Sequence, residues 1–221
     1  MTALVSTVAV FPAVAGSASI SATACVQRSG TLHGAPSRAL LSLVGVLRRP
    51  ATPADALPAQ VLNDYTTPPS GIQIFVKYVR LARVVAGTAF YVIPERVTRC
   101  LSSVKPYDSV DLYALGIGGG GGGIVRPDHL LAGFTRGRSV PPHITLYAIA
   151  PDGVATITLH YPAGRAGGFS HEMLPAFTTT TRVVNNIVDV IVPRAGERAR
   201  SSMTMTWRAA NGTVIRTFHT L

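Results

Sequence analysis

The sequence predicts a mostly β protein, an antiparallel β-sandwich or partly open barrel of hairpins with one or two short N-terminal helices. The chain of 221 residues holds 21 glycines and 16 prolines, a density typical of many short elements joined by turns. From residue 72 onward, apolar runs of strand length alternate with turn residues. Apolar residues make up 47% of the chain and charged residues 14%, so the chain can bury the core of one domain.

The first 24 residues have the pattern of a signal peptide. Residues 3–24 carry no charge, and Ala22-Thr23-Ala24 has the A-x-A form of a cleavage site. The usual basic region is missing, because the first Lys or Arg is Arg28. Pro12 and Gly16 interrupt the apolar run, so no membrane span is predicted. The alternative is a buried first strand. With a signal peptide, the protein is expected to be extracellular or associated with the cell envelope.

Two cysteines, Cys25 and Cys100, allow two interpretations. In an oxidising compartment they can form one disulfide around a loop of roughly 75 residues, which stabilises the fold by ~4.5 kcal/mol on the chain-entropy model. Alternatively, Cys25 is the lipidated first residue of a mature lipoprotein, although residues 22–24 lack the Leu typical of such sites. Lipidation of Cys25 would exclude the disulfide.

Residues 25–71 are predicted to form a helical lead-in that packs on the core. Ser37 is a suitable N-cap for a helix that runs through Arg49 and ends at Pro50. The segment Thr52-Pro53-Ala54-Asp55 combines an N-cap residue, a proline at the first helical position and an acidic residue at the third. A second short helix is predicted there.

Residues 72–221 are predicted to form a β-rich domain with four hairpins. In the first, the run 72–85 turns at Ala86-Gly87 and returns through 89–93. Residues 107–115 predict a further strand. The other three hairpins each have a turn signal between two strand-like runs: 144–149 and 154–159 about Pro151-Asp152-Gly153, 180–184 and 187–192 about Asn185-Asn186, and 203–208 and 213–218 about Asn211-Gly212.

Several short segments resemble pieces of uncharacterised extracytoplasmic actinobacterial proteins, secreted or envelope-associated. The longest is Leu47-Arg48-Arg49-Pro50-Ala51-Thr52-Pro53-Ala54-Asp55-Ala56-Leu57-Pro58; residues 90–94, 151–155 and 184–186 are similar to other pieces of that group. The resemblance implies export and a cell-envelope context. It implies no activity and no catalytic residues.

The sequence contains no complete catalytic or metal-binding motif, and no cofactor is predicted. The six histidines do not have the spacings of common zinc motifs. Six glycines at 118–123 are followed by Ile-Val instead of the Lys-Ser/Thr of a P-loop, so they predict a flexible surface loop. Residues 168–172, Gly-Phe-Ser-His-Glu, begin like a nucleophile elbow but lack its second glycine.

The clearest functional signal is charge. Twenty Lys and Arg residues face ten Asp and Glu residues, and a net charge of +10 attracts polyanions. The alternative is a compositional bias that leaves ordinary solvated charge. Tyr78 and Tyr91 lie near some of the arginines, as aromatic residues do on nucleic-acid-binding surfaces, but no known nucleic-acid-binding motif is present. The candidate binding residues are Arg80, Arg83, Arg96, Arg99, Arg136 and Arg138.

These observations favour a non-enzymatic extracytoplasmic β-rich domain whose basic surface associates with anionic envelope polymers or lipid headgroups. Two alternatives stay open. One is an envelope hydrolase whose site is assembled from dispersed residues such as His171, Glu172 and Asp111. The other is a basic nucleic-acid-binding protein, which would bind with a steep salt dependence.

Overall fold

The computed structural model describes seven stretches of the chain: residues 28–67, 70–98, 105–115, 135–140, 143–166, 172–193 and 203–219. The signal-peptide-like segment, both cysteines and the run of six glycines lie outside these residues. Predictions about them therefore stay predictions.

The first helix is shorter than the sequence predicts. Ser37 is the N-cap of α1 (Arg38–Leu43), and its hydroxyl accepts a hydrogen bond from the backbone N–H of Leu40 at 3.3 Å. The expected continuation through Arg49 is wrong, because the chain leaves the α-helix at Val44 and forms a 3-10 helix over Gly45–Arg48. The N–H of Gly45 donates to the Asp152 side chain at 2.8 Å. A tertiary contact thus replaces the next turn of the helix.

The second predicted helix starts where expected. Thr52 and Asp55 form a capping box at the start of the 3-10 helix Pro53–Asp55. A further helix that the sequence analysis did not predict, α2 (Ala59–Thr66), follows Pro58. It buries Val61 and Tyr65.

The N-terminal sheet contains β1 (Gly30–Thr31), β2 (Ile72–Ile74), β3 (Arg80–Val85), β4 (Thr88–Val97) and β5 (Tyr107–Ala114). The long β4 pairs along one edge with β5 and along the other with β2 and β3, and β1 pairs with β2. The predicted hairpin at Ala86-Gly87 is confirmed. Both turn residues have positive φ, 47° and 80°, as in a type I′ turn.

The predicted continuous strand over residues 72–85 is interrupted by a 3-10 helix at Val76–Tyr78. Opposite the interruption lies Pro94 of β4, whose carbonyl accepts the Phe75 N–H at 2.9 Å. Proline has no N–H with which to continue the ladder. The predicted strand is therefore divided into β2 and β3, which pair with β4 on either side of Pro94.

The second half of the chain is organised by one long antiparallel ribbon. One arm runs through β7 (His143–Ile149), β8 (Thr156–Tyr161) and β9 (Gly164–Arg165), and the other returns through β10 (Met173–Leu174), β11 (Phe177–Arg182) and β12 (Ile187–Pro193). β9 pairs with β10, β8 with β11, and β7 with β12. The ribbon bends between β7 and β8, so its two halves belong to different sheets.

This ribbon corrects two of the predicted hairpins. The turn residues at Pro151-Asp152-Gly153 and Asn185-Asn186 do not close hairpins between their flanking strands; they form the two bends of the ribbon. Beyond an isolated bridge from Val184 to Ile187, the strands on either side of each turn pair elsewhere. Strands commonly pass between facing sheets at such corners.

Three more strands complete the two sheets of the ribbon. β6 (Thr135–Val140) pairs with β7 and gives a middle sheet in the order β12-β7-β6. β13 (Thr204–Arg208) pairs with β8 and with β14 (Val214–His219), giving an outer sheet in the order β11-β8-β13-β14. The hairpin predicted at Asn211-Gly212 joins β13 and β14 and is confirmed.

The N-terminal, middle and outer sheets stack in layers, with the middle sheet between the other two. Tyr147 and Ile149 of β7 pack toward the N-terminal sheet, together with Phe90. Their neighbours on β7, including Ala148, pack toward the outer sheet, in a cluster that contains Trp207. The fold is therefore mostly β, with antiparallel sheets packed face to face and a few short helices. None of the described sheets closes into a barrel.

None of the helices in the described part of the chain has the length and apolar character that crossing a membrane would require.

Candidate functional site

Three of the six candidate arginines have described side chains, and each is held by contacts within the fold. Arg80 is buried and donates to the carbonyls of Arg49 at 2.8 Å and Val79 at 2.7 Å. Arg83 of β3 forms an ion pair with Asp189 of β12, which joins the N-terminal sheet to the middle sheet. These two side chains contribute to packing between elements.

Arg96 of β4 is also engaged. Its Nε lies 2.8 Å from the Asp108 carboxylate, and its guanidinium lies 5.3 Å from the centre of the Phe75 ring. Among the other candidates, Arg99 lies outside the described residues, and Arg136 and Arg138 lie on β6 with side chains outside the described part. The three described arginines do not form one free basic surface.

The residues considered for a hydrolase are not gathered in the described part of the chain. Asp111 is buried in the N-terminal sheet, where it accepts hydrogen bonds from the Tyr65 hydroxyl and the Leu112 N–H. Burial raises the pKa of the Asp111 carboxyl, although these two hydrogen bonds oppose the shift. Glu172 is exposed next to β10, and His171 lies outside the described residues. Within the described stretches, no group of three His, Cys, Asp or Glu side chains is placed to hold a metal ion.

An open cleft of about 390 Å³ lies where the ribbon bends. Its polar side chains bond to one another: Asp152 accepts from the N–H of Gly45 at 2.8 Å and from Asn186 at 3.0 Å, and it forms an ion pair with Arg48 at 2.6 Å. Asn186 in turn accepts from the Val46 N–H at 2.8 Å. This network fixes the N-terminal segment to the bend.

The outward face of the outer sheet is mostly polar. Eleven polar residues point away from the core: three each on β11, β8 and β13, and two on β14. We call this surface the threonine face, because seven of the eleven are threonine. Its residues are Thr156, Thr158, His160, Thr178, Thr180, Arg182, Thr204, Thr206, Arg208, Thr217 and His219.

The strand register arranges the threonine face in three rows that cross the sheet. The first row reads Thr178, His160, Thr204, His219, and the second reads Thr180, Thr158, Thr206, Thr217. The third reads Arg182, Thr156, Arg208. Adjacent strands lie about 4.8 Å apart and successive rows about 6.8 Å apart.

Hydrogen bonds within the rows hold several of these side chains in place. The hydroxyls of Thr158 and Thr180 lie 2.8 Å apart. His160 Nδ1 lies 2.8 Å from the Thr178 hydroxyl, and in the same row His219 Nδ1 lies 3.3 Å from the Thr204 hydroxyl. Threonine suits such a surface, because its branched side chain favours strands and its hydroxyl pairs across them.

The charge of the threonine face has one sign. Arg182 and Arg208 are both exposed, and none of its eleven residues is acidic. Arg208 donates one N–H to the Gly212 carbonyl at 3.1 Å. Its other donors, and the two histidines, add to a surface that can both hydrogen-bond to an anion and attract it.

Arg182 and Arg208 are not among the candidate arginines predicted from the sequence. A sequence pattern that marks this surface is nevertheless present in three of the four strands. Each has a polar residue at every second position and ends on a basic one: Thr156-Ile-Thr158-Leu-His160, Thr178-Thr-Thr180-Thr-Arg182 and Thr204-Met-Thr206-Trp-Arg208. In the two strands that contain residues 156–160 and 204–208, the alternation with apolar residues assigns the polar ones to one face. Their alignment across strands depends on pairings that the turn signals did not predict.

Comparison with known proteins gave no similarity: no protein-family model, no curated protein and no solved structure matches the chain.

Proposed function

We propose that this chain is a non-enzymatic, extracytoplasmic β-rich binding domain that associates with an anionic phosphodiester polymer of the cell envelope through the threonine face. The observation that carries the proposal is the one-signed charge of that face: it has two exposed arginines among hydroxyls and imidazoles, and no acidic residue among the eleven. Such a surface attracts a polyanion and offers it many donors.

The chemistry of the face favours a phosphodiester polymer without bases over a nucleic acid. Single-stranded nucleic acids are usually bound by aromatic side chains on which the bases stack. The eleven residues of the threonine face include no Phe, Tyr or Trp. Hydroxyls and guanidinium groups instead suit phosphate oxygens and the hydroxyls of a polyol chain.

The extracytoplasmic setting rests on the sequence. Residues 3–24 carry no charge and end in an A-x-A pattern. The net charge of +10 would favour retention of an exported protein at a negatively charged envelope. The arginines of the threonine face supply two of these charges in one place.

The test is retention of the full chain on immobilised poly(glycerol phosphate) at increasing NaCl. We expect binding at low salt that weakens steeply as salt rises, because phosphate contacts release counterions. The double variant Thr158→Glu/Thr206→Glu places two negative charges in the second row and should reduce binding by about tenfold or more at low salt.

The matched control is Gln60→Glu/Asn63→Glu, which makes the same change in net charge on the exposed side of α2. It should bind within about twofold of the unmodified chain, provided circular dichroism shows both variants folded. Equal losses in the two double variants would show that overall charge alone drives binding and would refute the role of the face. Tighter binding to single-stranded DNA or RNA than to poly(glycerol phosphate) would favour the nucleic-acid alternative instead.

A further inference from the structure

The third row of the threonine face places two arginines on either side of one hydroxyl. Thr156 of β8 pairs directly with Arg182 of β11 on one side and with Arg208 of β13 on the other. The two arginine Cα atoms are thus two strand spacings apart, or about 9.6 Å. In this structure Arg208 reaches the Gly212 carbonyl. Both side chains are long enough to reach a group bound over Thr156.

Nothing in the described contacts neutralises these two charges. Arg182 and Arg208 are exposed, and the four ion pairs of the described residues involve other arginines. The hydrogen bond from Arg208 to the Gly212 carbonyl uses one of five N–H donors of that guanidinium. Two neighbouring positive charges with no acid beside them attract an anion.

We propose that Arg182, Thr156 and Arg208 form a clamp for one phosphate group. This inference rests on the proposed function and specifies where the polymer is held. A carboxylate holds its two oxygens in one plane, where a single arginine fork can satisfy them. A phosphate group is tetrahedral, and even a diester keeps two charged oxygens that each accept several hydrogen bonds. One guanidinium can therefore bind these oxygens in bidentate fashion while the second guanidinium and the Thr156 hydroxyl bind them from other directions.

The experiment titrates the full chain with inorganic phosphate, at constant ionic strength, and follows backbone amide shifts by NMR. The largest shifts should fall on residues of the third row. Acetate at the same ionic strength should bind about tenfold more weakly. Arg182→Gln and Arg208→Gln should each weaken phosphate binding by about tenfold, the usual effect of losing a charge-assisted hydrogen bond.

Two further variants distinguish a clamp from general attraction. Arg182→Lys keeps the charge but loses the fork, so its affinity should lie between those of Arg182→Gln and the unmodified chain. Thr156→Val keeps the shape and the strand preference and should cost about threefold. Arg165→Gln, at an exposed arginine of β9 outside the threonine face, should leave phosphate binding unchanged.

The outcomes separate this inference from the proposed function. If poly(glycerol phosphate) is retained through the threonine face but Arg165→Gln weakens phosphate binding as much as Arg182→Gln, the clamp is wrong and the proposed function stands. If phosphate binds and the third-row variants abolish it while the polymer is not retained, the clamp stands and the proposed function fails. Equal affinity for acetate and phosphate also overturns the clamp.

Discussion

Asp152 and Asn186 join the two bends of the ribbon, with 3.0 Å between the Asp152 Oδ1 and the Asn186 Nδ2. Each also binds the N-terminal segment, because Asp152 accepts from the N–H of Gly45 and Asn186 from the N–H of Val46. The hydrogen bonds of Asp152 with Asn186, Arg48 and Gly45 outweigh the effect of its burial and lower the pKa of its carboxyl. The bend is thus stabilised by a hydrogen bond between its two arms and by hydrogen bonds from the N-terminal segment.

A side chain at position 45 should break this arrangement. A Cβ on Gly45 would lie 2.6 Å from Asp152 Oδ1, which is closer than a carbon and an oxygen can approach. We expect Gly45→Ala to lower the free energy of unfolding by about 1–3 kcal/mol. Urea denaturation measures this effect. Gly34→Ala is the control, because its Cβ would meet nothing within 4 Å, and it should change stability by less than about 0.5 kcal/mol.

Truncation of Asn186 should be more costly than truncation of its neighbour. Asn186→Ala leaves the N–H of Val46 and the carbonyl of Ala150 without their buried partners, which should lower the free energy of unfolding by about 2–4 kcal/mol. Asn185→Ala imposes a similar backbone strain, since both residues have positive φ, but removes only one hydrogen bond, to the Ala82 carbonyl. Equal losses in the two variants, measured by thermal and urea denaturation, would argue against a specific role of the Asn186 side chain.

The buried carboxyl of Asp111 should make stability depend on pH. The pKa of this carboxyl is raised in the folded state from an ordinary value of 3.8, so the carboxyl stays protonated to a higher pH in the folded protein than in the unfolded chain. As pH rises above 3.8, the unfolded chain releases this proton first, and stability falls until pH passes the raised value. Asp111→Asn removes this dependence. The variant should gain stability relative to the unmodified chain as pH rises, in urea midpoints from pH 3.5 to 8.

Asp64→Asn, at an exposed carboxylate of α2, is the control for the Asp111 experiment. Its stability should differ little from that of the unmodified chain, because an exposed charge contributes little to stability. A difference between Asp111→Asn and the unmodified chain that does not change with pH would mean that Asp111 does not titrate differently in the folded state.

Substitutions of Arg83 and Arg182 should separate effects on stability from effects on binding. Arg83 pairs with Asp189 between two sheets, with about a quarter of each side chain exposed, so Arg83→Gln should lower the free energy of unfolding by about 1 kcal/mol or less. It should leave retention on poly(glycerol phosphate) within about twofold. Arg182→Gln should weaken retention and leave stability nearly unchanged. If retention depended on Arg83 and not on Arg182, the binding surface would lie on the first hairpin and not on the threonine face.

The sequence predicted local structure well where one residue type has one physical reason for its position. Ser37 caps α1, Thr52 and Asp55 form a capping box, and the turns at Ala86-Gly87 and Asn211-Gly212 close real hairpins. These signals depend on neighbours within a few residues. They therefore do not need knowledge of the tertiary fold.

Strand pairing was harder to predict, because a turn signal does not state which strands it joins. Pro151-Asp152-Gly153 is a turn in either case, as a hairpin or as a bend between sheets. The apolar pattern held more information: residues 144–149 and 187–192 are apolar except for Thr145 and Asp189, as in a middle layer, whereas 156–161 alternates polar with apolar residues. Strands of like pattern pair in the structure, and the candidate surface follows from that pairing.

The bent ribbon also constrains how the molecule can form. Its outer end pairs Arg165 with Met173, and its inner end pairs His143 with Pro193, so complete closure requires residues 50 apart in sequence to pair. Neither the middle nor the outer sheet can be completed while the two arms remain apart. Slow, single-step assembly is the expected kinetic signature, and amide protons in both sheets should exchange with solvent through one shared opening.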